Sequence, residues 1–270
     1  MRITHLLLLA AAVAPQAAAQ TAATEWLSRY GARTVAVDIS GHPGFILLPA
    51  RPRADGLKPW VWYAPVLTGR FPGSGNAWLF TRLLENGFAV GGVDAGESYG
   101  SPDGRRVFSE FHRVVVNEHG LSPQACLLPQ SRGGLMLYAW AAENPGAVRC
   151  IGGIYPVGDL RSYPGLSRAR GAYHLTEEEL RSQLPQHNPI DRLAPLAASH
   201  VPILHLHGDA DKLVPLEPNS LEMARRYRAL GGTFGLAVVR GKGHQEAPEF
   251  FESQSLLEFF LSLGKRLPAE

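Results

Sequence analysis

Residues Cys126 to Asn144 read CLLPQSRGGLMLYAWAAEN. A short apolar run closes on Pro129, the turn Gln130-Ser131-Arg132-Gly133-Gly134 follows, and an apolar stretch of helical character comes next. The pattern predicts strand, sharp turn and helix, with a hydroxyl at the apex. Small residues flank a serine in this setting because strand and helix backbones nearly touch there. The common form is G-x-S-x-G; here Pro129 takes the first glycine's place, and proline fixes φ, so the local backbone has to suit it. Gly133 and Gly134 keep the second half. S-x-G-G alone is equally an ordinary turn, so the weight falls on what lies downstream.

The chain has 270 residues and a formal net charge of +2, with both signs interleaved. One large α/β core fits that length. No basic footprint for nucleic acid or polybasic membrane patch is present. The start, MRITHLLLLAAAVAPQAAAQ, has Arg2, an apolar run over 6–13 and small residues at 17–19. It reads as a secretory signal peptide over residues 1–19, with a retained anchor as the alternative. A secreted or periplasmic location is the expectation, with no membrane span in the mature chain. Export makes Cys126 and Cys150 informative. They open successive apolar runs, so two parallel neighbouring strands place both thiols at one sheet end. A disulfide and two buried reduced thiols both remain open.

Alternating and apolar runs predict strands at Thr34–Ile39, Phe45–Leu48, Trp60–Leu67, Phe88–Asp94, Cys150–Tyr155, Pro202–His207 and Phe234–Val239. Helical spacing marks Asn76–Asn86, Arg106–His119, Glu217–Leu230 and Pro248–Leu263. Strand and helix alternate from Trp60 onward. That predicts an α/β fold in which a mostly parallel sheet carries helices on both faces and a leading hairpin adds antiparallel strands at one edge. Residues 20–270 form one expected domain. The segment 156–199 is long for a connection and reads as a short lid, with a helix capped by Thr176 and Glu179.

In a parallel sheet, strand C-terminal ends share one rim, where ligands bind. Ser131 lies there. The strand ending at His207 runs into Gly208-Asp209-Ala210-Asp211-Lys212-Leu213-Val214-Pro215, and the strand ending at Val239 runs into Arg240-Gly241-Lys242-Gly243-His244. A hydroxyl, an acid and an imidazole therefore reach one rim in the order Ser, Asp, His. The run from His207 to Pro215 resembles the H-G-x-x-D-x-x-V-P segment of α/β-hydrolases, especially the dienelactone-hydrolase and prolyl-oligopeptidase-like branches. Gly243-His244 is similar to the loop carrying their histidine. The resemblance covers about Thr34 to the C-terminus. It departs at Pro129, and at Ala64-Pro65-Val66-Leu67, where a His-Gly pair is missing after the strand.

The resemblance implies an α/β-hydrolase fold and a serine hydrolase without metal or organic cofactor. Ser131 is the expected nucleophile, His244 the base that activates it and Asp211 the acid that orients the imidazole. Asp209 and Asp159 are the competing acids. The Arg132 backbone N–H and, as second choice, that of Leu67 are the expected oxyanion donors. The Arg132 side chain either grips a substrate carboxylate or pairs with a carboxylate such as Glu97. Glu97, Tyr99, Tyr155, Arg161 and Tyr163 line the expected pocket, with ordinary loop packing as the competing reading; His174 and His187 lie in the lid. His205 and His207 sit within a strand and read as structural. The expected substrate is a small-molecule or oligosaccharide ester, cleaved through an acyl-enzyme. The Ser-Arg pair is similar to that of glucuronoyl esterases, which little else here matches. A prolyl-oligopeptidase-like peptidase and a silent binding protein are the alternatives. The sequence contains no propeller segment, which weighs against the former. Oligomeric state is not legible.

Overall fold

The computed structural model describes residues 32–67 and 72–263. The leader expected over 1–19 lies outside the described residues. Among those described, no helix is long and apolar enough to cross a membrane.

The chain opens with a hairpin of β1 (Arg33–Ile39) and β2 (His42–Leu48). Only Ser40 and Gly41 make the turn, both at positive φ, which suits the twist of the strands it joins. β2 therefore begins at His42, ahead of the expected Phe45, and takes in His42-Pro43-Gly44. Next come β3 (Trp60–Ala64), α1 (Ala77–Glu85) and β4 (Ala89–Val93). α2 (Pro102–Asn117) starts a turn before the expected Arg106, because the Ser101 hydroxyl accepts the Gly104 N–H and Pro102 occupies the first helical turn. β5 (Ala125–Pro129) leads through the Ser131 turn into α3 (Gly133–Glu143), and β6 (Val148–Ile154) follows. Residues 156–199 hold four short helices, α4 (Leu166–Tyr173), α5 (Glu177–Ser182), α6 (Leu184–His187) and α7 (Ala194–Ala198). At the start of α5, Thr176 and Glu179 bond reciprocally to each other's backbone N–H.

β7 (Ile203–Gly208) is followed by a wide turn in which Leu221 N–H bonds Leu216 C=O, and only then by α8 (Glu222–Ala229). Pro218 lies inside that turn, which explains why the expected helix from Glu217 starts irregularly. β8 (Phe234–Val239) closes the sheet. The expected last helix is two, α9 (Pro248–Phe251) and α10 (Gln254–Leu261), because Ser253 caps the second through the Leu256 N–H.

The eight strands are ordered β1-β2-β4-β3-β5-β6-β7-β8. β2 runs antiparallel to β1 and β4, and every other pairing is parallel. The α/β reading and the mostly parallel sheet with an antiparallel edge are thus what the chain adopts. Trp60, Trp62 and Leu127 face one core with Phe108, Phe111 and Trp140. Val61, Tyr63 and Leu128 face a second core with Phe80, Phe259 and Phe260. Strands buried on both sides explain the continuous apolar runs in the sequence. α3 is buried nearly all round, so its sequence lacks a polar face. A third cluster joins Leu135, Val157 and Val214 to Leu166, Tyr173, Leu180 and Leu184. It seats α4 to α6 beside the Ser131 turn. Cys126 and Cys150 are register partners on β5 and β6, and their sulfurs are bonded.

Candidate active site

The turn at Ser131 is forced by contacts on both sides. Ser131 sits at φ +51°, a left-handed conformation rare for a residue with a side chain. Its N–H bonds Ile154 C=O at 3.0 Å and its C=O accepts the Val157 N–H at 2.8 Å, so β6 holds the turn. A Cβ on Gly133 would stand 2.0 Å from Ala64 O, and one on Gly134 2.2 Å from Val157 O. Neither position admits a side chain. Pro129 ends β5 opposite Ala64, an extended setting that proline tolerates; the departure from glycine costs the turn nothing visible.

The acid loop follows β7. Asp211 is buried, and its Oδ1 accepts the N–H groups of Leu213 at 2.9 Å and Val214 at 2.8 Å. Its Oδ2 lies 2.7 Å from His244 Nδ1. His244 Nε2 lies 2.8 Å from Ser131 Oγ. Three side chains separated in sequence thus form one continuous hydrogen-bonded array. Burial pushes the Asp211 carboxyl up, but the His244 and Val214 hydrogen bonds and the nearby imidazoles outweigh it and hold it below the usual carboxylate range.

The rival acids are engaged elsewhere. Asp209 is exposed and accepts the Gly241 N–H at 2.6 Å. Asp159 makes a two-pronged pair with Arg161, at 2.7 Å for its closest contact, and accepts from Asn188. Arg161 is therefore turned toward Asp159. The Arg132 side chain pairs with Glu97, which is the simpler of the two readings for that arginine. Its backbone N–H immediately follows Ser131 at the start of α3. Leu67 is half-buried at the end of the segment after β3, and the following loop, 68–71, lies outside the described residues. Tyr155 is nearly buried, with its ring 4.3 Å from that of His244 and 5.1 Å from Phe250. It forms a wall behind the imidazole, and burial pushes its phenol up. The Tyr99 carbonyl accepts the Tyr173 hydroxyl at 2.8 Å, which ties this rim loop to α4. Tyr163 is partly buried and packs on the α4–α6 cluster. His174 pairs with Asp103 on the surface, and His187 packs against Tyr173 with the rings tilted and centroids 5.0 Å apart.

Two contributors escaped the sequence reading. Gln130 is buried beside Ser131, where its Oε1 accepts from Tyr63 Oη at 3.1 Å and Asn76 Nδ2 at 3.3 Å. Glu246, two residues past His244, lies against Gly73 and Gly75. Neither has a sequence signal, because both depend on loops meeting across the rim.

A sequence model of the prolyl oligopeptidase family matches residues 116–265. The chain belongs to this family. Its fold is that of the α/β-hydrolases. No curated protein matches the sequence significantly. Among solved structures, the chain is similar to a puromycin-hydrolysing peptidase of Mycobacterium tuberculosis, with 15% identity, TM-score 0.68, and 89% of this chain against 41% of that one. It is likewise similar to the acylaminoacyl peptidase of Pyrococcus horikoshii, with 15% identity, TM-score 0.67, and coverage of 88% and 42%. A third is Est1E from Butyrivibrio proteoclasticus, with 16% identity, TM-score 0.62, and coverage of 86% and 99%. The chain spans about two fifths of the length of the two peptidases. At these identities the likeness is one of fold.

Proposed function

We propose that this member of the prolyl oligopeptidase family cleaves an amide bond, in a peptide or an acylated amine, through an acyl-enzyme at Ser131. The observation that supports it is the Ser131–His244–Asp211 array, with contacts of 2.8 Å and 2.7 Å. Ser131 Oγ attacks the carbonyl carbon while its proton passes to His244 Nε2. The Arg132 N–H, with that of Leu67, takes up the developing oxyanion; one such donor is worth about 3 kcal/mol. Collapse breaks the carbonyl–nitrogen bond, and His244 returns the proton to the departing amine. Water then repeats the sequence and frees Ser131. Asp211 holds the imidazole with Nδ1 protonated and stabilises its charged form.

A second reading is hydrolysis of a carboxylic ester, including an acylated carbohydrate. Est1E supports it, because that protein is matched along 99% of its length. The leader-like residues 1–19 and the Cys126–Cys150 bond support an exported protein.

The test compares kcat/KM on aminoacyl and prolyl anilides with that on p-nitrophenyl and carbohydrate esters, alongside fluorophosphonate labelling. Amide turnover within tenfold of ester turnover, lost in Ser131→Ala, is the expected result. Ester turnover alone would replace the amide reading with the second. Undiminished turnover in Ser131→Ala would remove both.

A further inference from the structure

His207 is fully buried one residue before the acid loop, and the mechanism above does not use it. Its Nε2 lies 2.8 Å from Val214 C=O and 3.7 Å from Asp211 Oδ2. Its Nδ1 lies 2.7 Å from Ser220 Oγ. The same hydroxyl lies 2.9 Å from Nδ1 of His205, whose Nε2 lies 2.7 Å from the Tyr138 hydroxyl. All four side chains are buried. Burial lowers the pKa of both histidines, so each is neutral and has one donor and one acceptor nitrogen.

Those constraints leave one arrangement of protons. Val214 C=O only accepts, so His207 carries its proton on Nε2 and accepts at Nδ1. Ser220 spends its single proton on His207 Nδ1, and must accept from His205 Nδ1–H. His205 Nε2 then accepts from Tyr138. Every hydrogen points from α3 toward the acid loop. The same Val214 donates its N–H to Asp211 Oδ1 at 2.8 Å, so a pull on its carbonyl is a pull on the carboxylate.

We propose that His207 is a positioning residue for the reaction: through Val214 it holds Asp211 in line with His244, with its Nε2–H tautomer set by the Val214 carbonyl and its Nδ1 held by the Ser220 hydroxyl. This rests on the assignment of Ser131, His244 and Asp211 made above. Gly153 makes room for the relay, since a Cβ there would lie 2.8 Å from the His205 ring.

Nitrogen-15 NMR of the full chain should show opposite neutral tautomers on the two histidines, Nδ1–H on His205 and Nε2–H on His207. Matching tautomers, or a charged imidazole at neutral pH, would overturn the proposal without touching the catalytic assignment. In p-nitrophenyl acetate turnover, His207→Asn removes the donor to Val214 and should lower kcat roughly ten- to hundredfold, the scale of a misplacement of about 1 Å, with KM unchanged. It should also move the acid-limb midpoint of the kcat/KM profile down, because the charged imidazole loses its carboxylate. His207→Gln restores a donor at that distance and should recover most of both. Tyr138→Phe deletes the remote hydroxyl yet leaves the tautomers set by Val214; it should lower the melting temperature and leave kcat and the midpoint alone. Should His207→Asn not fold, Ser220→Ala takes its place, with a several-fold kcat loss expected. Wild-type kcat and midpoint in a folded His207→Asn or Ser220→Ala would sink the proposal. Loss of turnover in Ser131→Ala, measured alongside, separates that failure from failure of the active-site assignment.

Discussion

At the scale of single residues, the chemistry rests on atoms within hydrogen-bonding reach. Ser131→Ala should lower kcat roughly 10⁶-fold, the size seen when a triad nucleophile is removed, with the fold intact by circular dichroism. Asp211→Asn should keep the geometry but favour the wrong imidazole tautomer, and so lower kcat roughly 10⁴-fold. A loss under tenfold would show that the 2.7 Å contact to His244 is not the one that matters. These three residues were legible because each stands directly after a recognisable strand, within a local spelling. Glu97, Tyr99, Tyr155, Arg161 and Tyr163 were legible only as rim residues. Their directions were not, because a side chain's direction depends on partners elsewhere: Arg161 turns to Asp159 and Tyr155 backs onto His244.

At the scale of elements, the junction of β5 with α3 sets the position of Ser131. Gly133→Ala or Gly134→Ala forces a methyl against a carbonyl oxygen at 2.0 or 2.2 Å. Each should destabilise the protein by about 3 kcal/mol or more, read as a lowered midpoint in urea. A midpoint unchanged in either variant would mean that the strand and helix do not approach as described. The Cys126–Cys150 bond closes a sequence separation of 24 residues across β5 and β6. Replacing both cysteines with serine should cost roughly 3 kcal/mol by the loop-closure argument. Both sulfurs are buried, so a thiol reductant should act on the native protein only as fast as it opens. Element boundaries were less legible than element types. Caps at Ser101 and Ser253 and the proline in the wide turn before α8 moved three helix ends, because one capping hydrogen bond outweighs a continuing apolar spacing.

At the scale of the whole molecule, the interior holds neutral imidazoles. Burial keeps His205 and His207 below their ordinary range, and His112 and His187 shift the same way. The unfolded chain takes up protons below about pH 6.5, while the folded protein takes them up on these rings only at lower pH. Stability is therefore full above that pH and falls as the pH drops, by about 1.4 kcal/mol per pH unit for each fully buried ring. Urea unfolding at pH 7 and pH 5 should show the lower midpoint at pH 5; equal midpoints would mean that the buried histidines titrate alike in both states.

The order of strands and helices, the sheet's burial on both faces and the Ser–Asp–His succession were all present in the linear chain. Each follows from local periodicity or from a spelling within nine residues or so, of the kind that sequence reading detects. What Arg132 grips, where Arg161 turns and how His205 and His207 share one serine hydroxyl depend on contacts made across the sheet. Asp209 and Asp211 stand two residues apart in one loop; the spelling up to Val214-Pro215 favours Asp211 without giving the physical reason. The fold supplies it, by burying one carboxylate against Val214 and His244 and leaving the other in water, where an aspartate has no reason to hold an imidazole in place.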